Sequence, residues 1–473
     1  MSYFIKTESI IKDIFRRIKK KDFSGNTGLA LKNSIYQFST DASAKIGSFI
    51  FLIILARLLM PEFFGLYSLA LSTILIFGGI FELGTSTAVI RFISREFGKK
   101  KRKVIPYLYY FGKIKIIMFI FAAILLTFSA KYISNVFYQK PIFFALLAGV
   151  LYIMFNHLND FLKSLLRASN NFASIFKREI IFQISRMILI PLLIIFALKK
   201  SFSSEINLML IILFLAFSLF LASLLMMFDV KKIYFKKFKK EKDKLSKKQK
   251  TNVNKFLFAT ATLSISGIFF GNIDKVMLGR FVQSEFIGYY TAAFGIVGAM
   301  ISLIGFSSIV LLPIFSKLKG KRLEKGLQKS IIINAFLSII LFIITISLSY
   351  LIIQIVYGNQ YLLATNILRI LSLLLFIAPL IAIYQSYYVS QGKLRIIAKF
   401  LILTTLFNVI LNYILIKTFI PYGDLFAVYG VVFATLFSQG IYLGGLFLGR
   451  KIKYNKKYAK FKKDNSLEKN AKI

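Results

Sequence analysis

Stretches of about twenty mostly apolar residues recur along this chain, and each is long enough to cross a hydrocarbon core roughly 30 Å thick. About twelve such spans can be marked off, near 36–59, 64–88, 105–130, 142–162, 179–198, 206–229, 256–279, 286–312, 330–353, 362–385, 400–417 and 425–449. The apolar runs are continuous rather than alternating, so helices, not barrel strands, are expected to satisfy the backbone in lipid. The intervening segments fall into two classes that alternate. Segments 6–32, 91–103, 163–178, 231–255, 317–329, 393–399 and the tail from 450 are rich in Lys and Arg. Segments 60–63, 131–140, 199–205, 281–285, 354–361 and 417–424 are sparse. The first class holds about fifty of the 63 Lys and Arg residues, the positive-inside pattern. It predicts a multi-pass plasma-membrane protein with both termini in the cytoplasm.

One stretch occurs twice. Residues 57–70 read RLLMPEFFGLYSLA and residues 280–293 read RFVQSEFIGYYTAA, with six of fourteen positions identical at an offset of 223. The identities include Arg57/Arg280, Glu62/Glu285, Gly65/Gly288 and Tyr67/Tyr290. Residues 83–87 (LGTST) and 304–308 (IGFSS) extend the match at an offset of 221. Duplicated halves are a ground plan of secondary transporters. Six spans per half is an even number, so the halves enter the membrane from the same side. They are predicted to be parallel repeats, 36–230 and 256–449. The matched residues are expected at the outer turns, with the glycines allowing close helix approach.

Composition sharpens this picture. The mean hydropathy of +0.71 excludes an ordinary soluble domain. A net charge of +44 would suggest nucleic acid in a soluble protein, but its confinement to alternate loops points to anionic lipid on the cytoplasmic side. With no cysteine and one histidine (His157), neither a metal centre nor a cofactor is expected. No signal-peptide pattern opens the chain. Segment 1–35 is basic, and Ile11, Ile14, Phe15 and Ile18 recur there at helical spacing, which suggests an interfacial helix or a solvated basic arm. Segment 231–255 reads as a linker lying against lipid, and 450–473 as a basic tail.

Several stretches, in order and at spacing, carry a family resemblance: LARLLMPEFFGLYSLAL, ELGTSTAVIRFISREFGK at 82–99, IDKVMLGRFVQSEFIGYYTAAFGIVG at 273–298, and FNVILNYILIKTFIPYGDLFAVYGVVFATLFSQ at 407–439. Together they resemble the polysaccharide flippases, the Wzx or RfbX-type oligosaccharide-lipid exporters of the multidrug/oligosaccharidyl-lipid/polysaccharide superfamily. The resemblance implies an all-α integral membrane protein of about twelve helices. Its two six-helix lobes would form a V-shaped, alternating-access bundle. It implies a substrate, an oligosaccharide on a polyprenyl phosphate or diphosphate, moved from the cytoplasmic to the outer leaflet. A glycan polymerase would be a natural partner, and a monomer is the expected state. Two other readings stay open: a multidrug exporter of the same superfamily, and a membrane polymerase or glycosyltransferase. The enzyme reading suffers from outer segments of about ten residues or fewer, too short for an ordinary catalytic domain.

An anionic headgroup needs cationic donors inside the bundle, and charges deep within spans usually face a cavity or a partner. Arg186 and Arg369 each lie about 12 Å along their helices, too deep to reach water easily. They are candidate headgroup ligands or members of structural ion pairs. Pro191 could kink the helix of Arg186. Lys45 and Asp41 share a face, where they neutralise each other or serve the headgroup and ion coupling. Lys275 and Asp274 point in different directions. Asn408 and Asn412 share a face suited to interhelical hydrogen bonds or to sugar contact. Asn156, His157, Asn159 and Asp160 form a capping or gating cluster. Asp41, Glu82, Asp160 and Asp274 are the candidates for ion coupling.

Overall fold

A chain this apolar must close its backbone hydrogen bonds within helices. The computed structural model bears this out across the residues it describes, 24–97, 103–199, 202–235, 238 and 244–470. Among these residues no strand is present. The first half contains α1 (Gly25–Ile80), α2 (Thr85–Phe97), α3 (Val104–Tyr132), α4 (Phe143–Ala168), α5 (Phe172–Lys199) and α6 (Ser204–Val230). The second contains α7 (Lys247–Phe281), α8 (Ser284–Lys317), α9 (Lys321–Tyr357), α10 (Ala364–Leu371), α11 (Leu374–Ser390), α12 (Leu394–Phe419) and α13 (Asp424–Asn470). The expected interfacial helix around Ile11–Ile18 lies outside the described residues.

Nine of these helices are long and apolar enough to cross a membrane, and α10 with α11 makes a tenth span across a 41° bend. Helix α1 has 56 residues, about 84 Å if straight at 1.5 Å per residue, so it must hold two spans. Its arms divide at Met60, whose φ of 60° and ψ of 167° are not helical. Pro61 enforces the break, because the residue before a proline is driven from helical to extended ψ. Helix α7 completes the twelve. Its residues 256–273 form an apolar run without a charged side chain, and Asp274 and Lys275 follow it.

Two spans differ from expectation. The second, expected to run unbroken over 64–88, stops at Ile80. A turn follows in which Leu83 and Gly84 have φ of 50° and 65°, and α2 then starts afresh. Glu82 causes the restart: its carboxylate accepts the Gly84 N–H at 2.7 Å, the Ser86 N–H at 3.1 Å and the Thr85 hydroxyl at 3.3 Å. A carboxylate on the free N–H groups of a helix start is favoured by hydrogen bonding and by the helix dipole. The corresponding Gly305 lies within an unbroken α8. The tenth span, expected over 362–385, is broken between α10 and α11, where the Ser372 hydroxyl donates to the Arg369 carbonyl at 2.6 Å. Helix α5 continues through Pro191.

The halves touch through the duplicated segment. A Cβ on Gly65 would lie 1.7 Å from the Ser284 carbonyl oxygen, and one on Gly288 would lie 2.2 Å from the Pro61 carbonyl oxygen. Gly295 of α8 admits Leu52 of α1 in the same way. Farther along α8, Gly298 and Gly305 have nothing within 4 Å, and the same is true of Gly267 and Gly271 of α7. The halves are therefore joined backbone to backbone at the Met60 end; farther along, α8 has open space at Gly298 and Gly305, whereas α7 stays against the first half, with Gly79 admitting Ile268 and Gly84 admitting Thr260. Backbone meets backbone at this junction, so no side chain can yield. Gly65→Ala or Gly288→Ala is expected to cost about 1–3 kcal/mol through overpacking. Gly298→Ala is expected to be neutral or slightly stabilising. Melting of the detergent-solubilised variants checks this.

Candidate functional site

Inward of this junction a cavity of about 210 Å³ lies between the halves, lined by residues of both. The first half contributes Gly78, Gly79 and Glu82 from α1 and its break, and Tyr152, Asn156, His157 and Asp160 from α4. The second half contributes Ile268 and Asn272 of α7. Absence of a Cβ at Gly78 and Gly79 brings α4 and α7 close: a Cβ on Gly79 would meet Ile268 at 2.4 Å, and one on Gly78 would meet Ile153 at 3.3 Å. His157 donates through Nε2 to the Gly78 carbonyl at 2.9 Å, which ties α4 to α1.

Behind this wall the first half holds a charged cluster. Lys115 of α3 lies 3.6 Å from Glu82, and both are largely buried. Glu179 of α5 accepts from Arg178 at 2.6 Å, from Lys163 of α4 at 3.4 Å and from the Gln183 amide at 2.6 Å. Gln183 in turn accepts from Arg186 at 2.5 Å. Arg186 also donates to Ser48 of α1 at 2.8 Å. Its guanidinium lies over the rings of Phe51 and Phe182, 4.7 and 4.9 Å from their centroids. Both hydrogen-bond partners of Arg186 are neutral. Among the described residues no carboxylate comes within 4 Å of it, although it is 8% exposed. Its nearest electrostatic neighbours include Tyr152, which lines the cavity. The cluster sets four cations, Lys115, Lys163, Arg178 and Arg186, against the carboxylates of Glu82, Asp160 and Glu179. The balance is positive.

The second half carries the opposite chemistry at the matching place. Asn408 stands 222 residues after Arg186, the interval that also separates the starts of α5 and α12. There Asp274 is buried and accepts from Tyr290 at 2.7 Å, Thr435 at 2.7 Å and Asn412 at 2.8 Å. Asn412 also donates to Asn408 at 3.2 Å. Asp274, Asn408 and Asn412 thus pin α7, α8, α12 and α13 together. Lys275, turned about 100° from Asp274, falls on the α7 face of Ile268, Asn272 and Gly279, which contact or line the first half.

The remaining predicted residues lie elsewhere. The Asp41 carboxylate takes the Gln37 amide at 2.8 and 2.9 Å. Lys45 is exposed on the first arm of α1. Arg369 is exposed on α10, donating to Ser349 of α9 at 2.8 Å and to Asn366 at 3.1 Å. Neither it nor Arg186 nor Lys275 is among the residues that line the cavity, and the structure does not bring Arg369 to Arg186. Of the four candidate coupling carboxylates, Glu82 and Asp160 line the cavity. Among the described residues no cluster of metal-ligating side chains occurs.

Sequence reasoning missed Lys115, Lys163, Arg178, Glu179 and Asn272. Lys115 was visible as a lysine inside an apolar run. Segment 163–178 reads in the sequence as a basic loop, whereas α4 runs to Ala168 and α5 starts at Phe172, so Lys163 and Arg178 are helical, and Arg178 is buried. Among the described residues Glu179 is the carboxylate within 4 Å of both cations, so Glu179→Gln leaves two sheltered charges without their direct partner. It is expected to destabilise the protein by about 3–5 kcal/mol, visible as a lowered melting midpoint. Asp41→Asn, on a half-buried group, should change it little.

Among solved structures, the chain is similar to the lipid II flippase MurJ in an inward closed conformation. Identity is 20%, over 88% of this chain and 87% of that one, with a TM-score of 0.68. It is also similar to an inward-facing multidrug resistance MATE family transporter of the MOP superfamily (14% identity, 90% and 96% covered, TM-score 0.58). A MATE protein in complex with MaL6 aligns comparably (13% identity, 92% and 98% covered, TM-score 0.60). At these identities the likeness is one of fold, the twelve-helix, two-repeat, V-shaped bundle. No curated protein matches the sequence. Residues 30–319 match the family model of the polysaccharide biosynthesis proteins, and since that is more than half of this multi-pass membrane chain, it belongs to that family.

Proposed function

We propose that this protein is a flippase. It carries an oligosaccharide linked to a polyprenyl phosphate or diphosphate from the leaflet on its basic, cytoplasmic side to the opposite leaflet, by alternating access and without covalent chemistry. Arg186 carries the proposal: a sheltered guanidinium beside the inter-half cavity whose hydrogen-bond partners are neutral. Cations already matched by carboxylates have little to gain from an anion. Arg186 can exchange the Gln183 amide for a phosphate oxygen, and its planar fork suits two such bonds. Lys275 offers a second charge from the α7 face, so a diphosphate between the halves would be held from both.

The cavity of about 210 Å³ is smaller than ordinary ligand sites of about 300–1,000 Å³. Headgroup entry therefore requires the halves to separate, which is the motion alternating access supplies. Tyr152, Asn156 and Asn272 are neutral donors and acceptors suited to sugar hydroxyls. Glu82 and Asp160 sit where bound phosphate would alter their protonation, and coupling to an ion gradient is assigned to them. Export of cationic drugs, the competing proposal, is favoured by the lining itself, which carries Glu82 and Asp160 and no Lys or Arg, and is opposed by the four cations behind this wall.

Arg186→Ala and Lys275→Ala should each lower surface-glycan export at least about tenfold, the loss expected from removing one charged contact, with normal protein abundance in the membrane. Arg369→Ala should export nearly as well as the parent. Immunoblotting of surface glycan in a deletion strain reads all three. Full export by both Arg186→Ala and Lys275→Ala would remove the headgroup role from these residues.

A further inference from the structure

The duplicated arginines make reciprocal contacts. Arg57 of the first half donates Nε to the Val356 carbonyl at 2.8 Å and a terminal nitrogen to the Ile355 carbonyl. Both carbonyls belong to the last turn of α9 in the second half. Arg280 of the second half donates to the Phe137 carbonyl at 2.7 Å and the Val136 carbonyl at 3.3 Å. These close the π-helical turn Ile133–Tyr138 that ends α3 in the first half. In each case the two carbonyls directly precede a buried tyrosine, Tyr357 or Tyr138. The arginines are 223 residues apart, whereas their targets are 219 apart. That four-residue slip hides the correspondence from a search at one offset.

The chemistry at both contacts is the same. The last carbonyls of a helix have no partner inside it and sit at the negative end of its dipole. Gly358 N–H caps Ile353 and Gln354, so Ile355 and Val356 are left for a cation from outside. Each arginine supplies two donors to two adjacent carbonyls, Arg57 from Nε and a terminal nitrogen, Arg280 from one terminal nitrogen. Both arginines are exposed at the rim, so water can take over each partner when the halves part, and neither charge is stranded. Such contacts can be made and broken reversibly, unlike a sheltered ion pair.

We propose that Arg57 and Arg280 are paired gate latches that hold the Met60 side closed. Each half grips the third-span terminus of the other, one on either side of the Gly65–Gly288 contact. The latches exist only when this side is shut, and their loss biases the protein toward opening there. This inference rests on alternating access and assigns the closed state's specific fastening. Because the two latches share no residues, their effects should be additive.

The natural chain has no cysteine, so spin labels at Gln139→Cys and Tyr422→Cys, on opposite halves of the Met60 side, report only the inter-half distance. Electron–electron resonance on the full chain in nanodiscs should show a short-distance population dominating the parent. Arg57→Ala or Arg280→Ala should each raise the long-to-short ratio about tenfold, within the usual range of coupling strengths, and the double variant by about the product. Arg57→Lys with Arg280→Lys keeps the charge but loses the fork, and should fall between, which provides a variant less exposed to misfolding. Two populations whose ratio none of these variants moves would overturn the latches while leaving alternating access intact. A single distance in every variant, with or without added undecaprenyl phosphate, would overturn both.

Discussion

Two glycines set the distance between the halves. At Gly65 and Gly288 a backbone carbonyl of the opposite half occupies the space a Cβ would fill, so contact is made by main chain alone. Helices in lipid gain little from apolar side chains, because lipid is as apolar as they are, and close backbone packing is what remains to hold them. Inward of this junction α8 has open space at Gly298 and Gly305, while α7 keeps its contact with the first half through Ile268 and Thr260. The cavity lies along that α7 contact, which gives it a lining from both halves. The same duplicated segment places Arg57 and Arg280 at the junction's rim, so the fixed point and its fastening are encoded in one short stretch.

Duplication supplied two equal skeletons, and the buried chemistry then diverged. Helix α5 encloses a positive cluster around Arg186, whereas α12 at the matching interval encloses Asn408, Asn412 and the buried carboxylate of Asp274. The second span breaks at Glu82 and lends its carboxylate to the cavity, whereas α8 runs past Gly305 without interruption. One half therefore holds the surplus of buried cations, and the other a hydrogen-bonded frame around Asp274 with Lys275 on its inner face. A substrate that is anionic at one point and sugar-like elsewhere has no symmetry to match, and an asymmetric cavity suits it.

The spans were legible because lipid enforces long apolar runs, and the halves because Arg, Glu and Gly repeated at one interval where apolar identity would have meant little. The breaks were harder to see. Glu82 ends a helix by reaching forward to the N–H groups of Gly84 and Ser86, and nothing in the spacing of apolar residues records a side chain turning back on its own backbone. At similar depth along their helices Arg186 is buried and Arg369 exposed, since depth says nothing about which way a helix is turned. Lys163 and Arg178 were lost for the opposite reason: the basic run joining α4 and α5 looked like a loop, yet each reaches Glu179 from a helix. Only tertiary packing distinguishes a charge facing water from one facing a carboxylate.

The central claim is that a sheltered positive site between two rocking halves moves a lipid-linked anionic headgroup across the bilayer. Purified protein in liposomes containing a short-chain polyprenyl-diphosphate sugar tests it most directly, with a membrane-impermeant oxidase reporting the headgroups accessible from outside. Protein-free vesicles should expose roughly half, the share of one of two leaflets. Vesicles with the protein should approach complete oxidation, and those with Arg186→Ala should stay near the protein-free level. Accessibility that stays at the single-leaflet share with the intact protein, in vesicles where it is demonstrably folded, would contradict the account.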